Sequence, residues 1–131
     1  MLTTLRRRDL VHPELCYTIV GALFEVSNGV GPSHRESFYQ KAVARELARA
    51  GLSYREQVPV RFRYKAEPIG LYYLDFLIDG KIILEIKVRD YFSKRDIEQL
   101  YSYLRATGLQ LGIIAHFTKS GVKFKRIVNI V

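Results

Sequence analysis

The segment LDFLIDGKIILEIKV, residues 74 to 88, constrains the fold more than any other part of the chain. Its β-branched and aromatic residues read as two strands, 71–78 and 82–89, joined at Asp79-Gly80. It nevertheless carries Asp75, Glu85 and Lys87 where a buried sheet should be apolar. A charge placed there loses on the order of several kcal/mol of hydration unless a partner or a metal replaces the lost water. Three such charges imply a shared task.

Side chains alternate along a strand, so Glu85 and Lys87 emerge on one face. Asp75 joins them only in one register. A strict two-residue turn at Asp79-Gly80 puts Asp75 opposite Leu84 and turns Glu85 away. An odd connection, Asp79-Gly80-Lys81 or a bulge, sets Asp75 beside Glu85, and this is the register we expect.

The rest of the chain supplies a frame. A first helix starts near Pro13 and carries Leu15, Ile19, Ala22, Leu23 and Val26 on one stripe. A second spans SHRESFYQKAVARELARAG, with Ser33 as N-cap, Glu36 three residues later and Gly51 as its stop. YREQVPVRFRYKAEPIG alternates as a strand, near an edge because of Pro59. SKRDIEQLYSYLRATG predicts a third helix with Ile97, Leu100, Tyr101 and Leu104 inward and Gly108 at its end. LQLGIIAHF and GVKFKRIVNIV are the last strands, the first apolar enough to be central. At 131 residues this is an α/β chain with one core, expected to form a single domain over 1–131.

Charge narrows the partner. Lys and Arg number 21 against 13 acids, a formal +8 that suits a polyanion, nucleic acid more commonly than an acidic membrane surface, though charge alone fits a generally basic soluble protein equally well. The single Cys16 excludes an internal disulfide and any thiolate zinc cluster, and His12, His34 and His116 lack zinc spacing. No signal peptide is expected at the start, and the apolar stretch 69–88 is interrupted by Asp75, Asp79, Lys81, Glu85 and Lys87, so no membrane span is expected. A cytoplasmic location is the expectation. The runs LRRR at 5–8 and KFKR at 123–126 could contact phosphates, but short charge runs are more often solvated faces.

Two carboxylates close together in a partly buried place repel each other, and a hard divalent cation relieves that repulsion. Magnesium, with manganese as a substitute, suits such oxygen donors, and Lys87 beside them can steady charge developing on phosphorus. The spacing Asp75, nine residues, Glu85-Ile86-Lys87 resembles the signature of the PD-(D/E)xK nuclease superfamily, with Leu74-Asp75 in place of Pro-Asp. More narrowly, GPSHRESFYQKAVARELARAGL, EQVPVRFRY, YYLDFLIDGKIILEIKV, QLYSYLRATGLQLGIIAHF and FKRIV together resemble its GxxExxY family across nearly the whole chain. Ser33 stands at that family's glycine, and His116 at its usual asparagine.

The resemblance implies a restriction-endonuclease-like αβββαβ core: a central mixed sheet flanked by helices, here with an extra N-terminal helix and a C-terminal strand. It implies a metal on Asp75, Glu85 and the Ile86 carbonyl, with Lys87 at the scissile phosphate. Glu36 either reaches toward the metal or forms a capping box with Ser33, and Tyr39 lies on its helix face. Gln99 and Tyr103 resemble a Gln-x-x-x-Tyr element that lines the active site of RecB-like nucleases. Arg89, Lys94 and Arg95, with Tyr39, are the expected nucleic-acid contacts. The expected activity is magnesium-dependent hydrolysis of nucleic acid, DNA foremost, by a chain small enough to suit a homodimer. The alternative is a non-catalytic nucleic-acid-binding or protein-interaction module on the same fold.

Overall fold

The computed structural model describes residues 11–129. Helix α1, Pro13–Val30, has proline in its first turn, where the missing N–H costs nothing. Cys16, Ile19, Ala22, Leu23 and Val26 form its buried stripe, with Cys16 more deeply buried than Leu15. Helix α2, Glu36–Arg49, buries Tyr39, Val43, Ala44 and Leu47. Gly51, at φ +76, turns the chain out of it, as expected.

The start of α2 differs from expectation. Its N-cap is Arg35 with no side-chain cap bond, so the capping box does not form. Ser33 instead sits at φ +71, a left-handed conformation that costs a side chain energy and that glycine adopts freely.

Strands β1, Tyr54–Tyr64, and β2, Glu67–Ile78, form a long hairpin where a single strand through residue 70 was expected. The turn between them is Lys65-Ala66, with φ of +49 and +68. A type I′ hairpin turn needs both residues left-handed, and neither residue type signals that in sequence. Strand β3, Ile82–Lys87, follows the three-residue connection Asp79-Gly80-Lys81, because Ile78 pairs with Ile82. That is the odd connection the charge pattern required.

Helix α3, Lys94–Thr107, carries the chain from β3 to β4, Leu111–Thr118, which runs parallel to β3. A parallel neighbour requires such a crossover. Ser93 caps α3 by accepting from the Asp96 N–H at 3.0 Å, and Gly108 at φ +75 ends it. β5, Gly121–Val128, returns antiparallel to β4. The five strands lie in chain order, β1-β2-β3-β4-β5. All eight residues of β4 are buried, as a central strand demands.

Helices α1 and α2 cover one face of the sheet, over Phe76, Ile78, Leu84, Ile86 and Ile113. α3 covers the other, over Val58, Val60, Leu74, Ile83 and Ile114. Its inward set includes Asp96 and Tyr103, whereas Tyr101 is only half-buried. Leu74 and Phe76 are two residues apart on β2, yet they enter opposite cores. Regular alternation would place them together. The phase slips between them at Asp75, and the facing Gln57 of β1, flanked by the pairs Glu56 with Phe76 and Val58 with Leu74, lies at φ +51. The base of the hairpin therefore packs under α1 and α2 while its distal arm curls over α3.

Gly112 on β4 lets α3 approach closely: a Cβ built there would lie 2.8 Å from the Leu100 methyls. Leu100 is fully buried and has little room to retreat. Gly112→Ala should lower stability by about 1–3 kcal/mol through overpacking, read as a shifted urea midpoint. Combining it with Leu100→Ala should cost less than the two single changes added together.

Candidate active site

The β2–β3 ladder stops at Phe76 and Leu84, and one step further along the same register Asp75 meets Glu85. Here side chains replace the backbone bonds. The Asp75 N–H donates to Glu85 Oε2 at 2.8 Å, and the Ile86 N–H donates to Asp75 Oδ2 at 2.8 Å. Each carboxylate is pinned by a main-chain donor beside the other, so two like charges are held together while the strands part. Alternation along β3 puts Glu85 and Lys87 on the face of Ile83, under α3.

Burial is the main influence on these groups. Glu85 is 5% exposed, and burial, with the Asp75 charge next, pushes its pKa up to about 8 despite the Asp75 N–H and Lys87. Asp75 is also held above its ordinary value by burial, against the Ile86 N–H, the Lys87 charge and a hydrogen bond from the Gln40 side chain. Glu36 is an exposed residue whose carboxyl still loses enough water to titrate high, with Lys87 opposing and Asp75 adding to the rise. Tyr103 is pushed up to about 12 by burial and by the charges of Glu85, Tyr72 and Asp75, which keeps its hydroxyl protonated.

The structure thus gathers Asp75, Glu85, Lys87, Glu36 and Tyr103, with Gln99 beside Tyr103 in a shared hollow. Gln40 is an addition. It lies one helical turn after Glu36 on the same face of α2, a spacing that could have revealed it.

Tyr39 does not belong to a nucleic-acid surface. It is 1% exposed, stacks on Phe117 with centroids 4.1 Å apart, and donates its hydroxyl to the Gly31 carbonyl at 2.7 Å. It locks the loop before α2 onto the sheet, so its role is to place Glu36 and Gln40. Arg89 pairs with the buried Asp96 at 3.3 Å and acts on the Glu36 charge. Lys94 lies 3.8 Å from Glu98 on an exposed face, and Arg95 is exposed, so both sit on the surface of the first turn of α3. Lys125 of KFKR lies over the Phe92 ring at 5.0 Å, and LRRR falls outside the described residues.

Behind Lys87 lies a feature the sequence did not announce. His116, paired in register with Lys87, is fully buried, with its ring edge-on to Phe92. Burial lowers its pKa, so the imidazole is neutral. Its Nε2 is 3.8 Å from Asp96 Oδ2, too long for a hydrogen bond. Asp96 therefore has Arg89 as its charge partner, and the pair ties the segment after β3 to the first turn of α3.

A mixed sheet with helices on both faces and two facing acids followed by a lysine defines an α/β fold of the nuclease type. The family model of the PD-(D/E)XK nuclease superfamily matches residues 13–127, and the chain belongs to that superfamily. Among solved structures it is similar to the crystal structure of SSO0001, at 16% identity and TM-score 0.55, over 72% of this chain and 50% of that one. It is also similar to an alkaline exonuclease from Laribacter hongkongensis, at 14% identity and TM-score 0.54, over 79% of this chain and 63% of that one. The chain thus spans between half and under two thirds of these structures. Comparison with curated proteins gives no match. Among the described residues no helix is long and apolar enough to cross a membrane.

Glu85 has a higher pKa in the folded chain than its ordinary 4.5, so the folded state holds an extra proton between about 4.5 and 8. Its contribution is most favourable below that window and is lost as pH rises through it. Asp75, Glu36, Lys87 and Tyr103 face the same place and are left unchanged in the variant. Glu85→Gln keeps an oxygen for the Asp75 N–H and removes the charge. It should raise the melting temperature at pH 8 by about 3 °C or more and have little effect at pH 4.5, measured by thermal unfolding without metal.

Proposed function

We propose that this protein is a divalent-metal-dependent nuclease that hydrolyses phosphodiester bonds in nucleic acid, DNA foremost. The observation that carries the reading is the reciprocal pinning of Asp75 and Glu85, with Lys87 two residues on. Asp75 and Glu85 are desolvated, Glu36 adds a third carboxyl beside them, and a single lysine cannot balance all three once they ionise. Such oxygen donors fit a hard divalent cation. Among the described residues no cluster of three or more His, Cys, Asp and Glu is gathered as a ligand set. Asp75 and Glu85 would hold the ion, with the Ile86 carbonyl and Glu36 as the further donors proposed. Magnesium retains waters of its own, which this partial set leaves room for.

When bound, the cation supplies Lewis acidity toward a phosphate oxygen and lowers the pKa of water. The chain's own residues do the rest. Lys87 is placed to orient the nucleophile and stabilise charge that grows on the phosphoryl oxygens. Tyr103, kept protonated, can donate to the substrate, and Gln99 beside it orients the same strand. From α2, Gln40 steadies Asp75 and Glu36 brings a further carboxyl toward the cation's place. The narrower GxxExxY affinity rests on the five sequence blocks, and the +8 charge supports a polyanionic substrate.

Cleavage of plasmid and oligonucleotide DNA in Mg2+ or Mn2+ tests the reading. Lys87→Ala should lower the rate about 100-fold or more, the scale expected for removing a preorganised charge donor, and chelation should abolish it. Unchanged cleavage by Lys87→Ala purified identically would overturn the assignment. The cation should also raise the melting temperature of wild type more at pH 8 than at pH 5, since it replaces the proton shared by the acids. Glu85→Gln should lose most of that difference, whether or not the protein cleaves.

A further inference from the structure

Next to the acids, the curled arm of the β1–β2 hairpin and α3 enclose a hollow of about 330 Å3, walled by Phe62, Ile69, Tyr72, Gln99 and Tyr103. Three rings meet there: Phe62 lies edge-on to Tyr72 at 5.4 Å, and Tyr103 is 6.2 Å from Phe62 and 6.0 Å from Tyr72. Tyr72 remains 49% exposed and Ile69 68% exposed, so this apolar surface faces solvent and does not complete the core. Adjoining it, and sharing Phe62, a second hollow of about 580 Å3 is lined by Arg61, Arg63 and Arg105. Tyr103 belongs both to the aromatic wall and to the acid cluster, whose charges act on its hydroxyl.

An open recess walled by aromatic rings, bordered on one side by acids suited to a phosphate-bound cation and on the other by three arginines, matches a particular ligand. It matches one unpaired base between two backbone phosphates. Base faces stack on aromatic side chains irrespective of sequence, while guanidinium groups hold phosphates. Within a duplex those faces are already covered by neighbouring bases. We propose that the recess formed by Phe62, Tyr72 and Tyr103 is a subsite for an unstacked nucleobase flanking the scissile phosphate, and that Arg61, Arg63 and Arg105 receive the strand's next phosphates. The protein on this view selects single-stranded or frayed nucleic acid. The inference rests on the nuclease reading for its place beside the scissile bond, but its binding test needs no cleavage.

The test is fluorescence anisotropy in EDTA with a fluorescein-labelled single strand of mixed-sequence DNA, the same strand with its bases replaced by abasic sites, and its duplex. Wild type should bind the base-bearing strand at least about 5-fold tighter than the abasic strand, and tighter than the duplex, on the scale of base stacking. Tyr72→Ala should weaken the base-bearing strand to the abasic level and bind both alike, whereas Tyr72→Phe should retain the preference. Arg63→Ala and Arg105→Ala should weaken base-bearing and abasic strands equally and reduce the slope of log affinity against log salt by about 0.7 each. Equal binding of abasic and base-bearing strands by wild type, or binding of duplex as tight as single strand, would overturn the subsite. Neither result bears on cleavage sensitive to Lys87→Ala, and absence of that cleavage would sink the nuclease reading while leaving the base preference measurable.

Discussion

Two like-charged side chains are held side by side because each borrows a backbone N–H from the neighbourhood of the other. The Asp75 and Ile86 amides would ordinarily complete a β-ladder, but they bind Glu85 and Asp75 carboxylate oxygens instead. This exchange satisfies buried donors, fixes both carboxyls, and parts the two strands beside them. Charge-assisted bonds of this kind are stronger than neutral ones, which offsets part of the cost of burying the acids. Their remaining cost appears in the raised Glu85 pKa.

The surrounding structure keeps that arrangement from relaxing. Asp75 sits where β2 changes the face it buries, between Leu74 in the α3-side core and Phe76 in the core of α1 and α2. Sliding β2 by one residue would expose both apolar neighbours, each worth about 1.5–3 kcal/mol of burial. From below, Tyr39 wedges against Phe117 and sets the start of α2, so Glu36 and Gln40 arrive beside the acids. From above, the Arg89–Asp96 pair and the close seat of Leu100 over Gly112 hold α3, which brings Tyr103 and Gln99 over the opening.

The centre of the site was legible because charges inside an apolar strand pattern have few innocent explanations. Asp75, Glu85 and Lys87 stood out for that reason, and their demand for one face called for an odd connection or a bulge, of which the fold contains the three-residue form. Other parts were hidden because their signals have commoner meanings. Tyr39 looks like a surface aromatic on a helix, and only its contact with Phe117 makes it structural. Asp96 and His116 are far apart in sequence and are adjacent only because α3 crosses back over β4. The Lys65-Ala66 turn and the Gln57 irregularity use residue types that rarely adopt left-handed backbone, so neither could be read from composition.

By itself, the order of residues determined the α/β class, the helices with their glycine stops, the central position of β4 and the meeting of the acidic pair with its lysine. These follow from local periodicity and from the cost of burying charge, both of which are properties of short stretches. Only the tertiary structure decided which acids lose their water, which tyrosine is core and which lines the opening, and where the hairpin arm curls to form an aromatic recess. Those outcomes depend on surfaces from distant segments meeting in space, and desolvation has no magnitude until the neighbours that exclude water are in place.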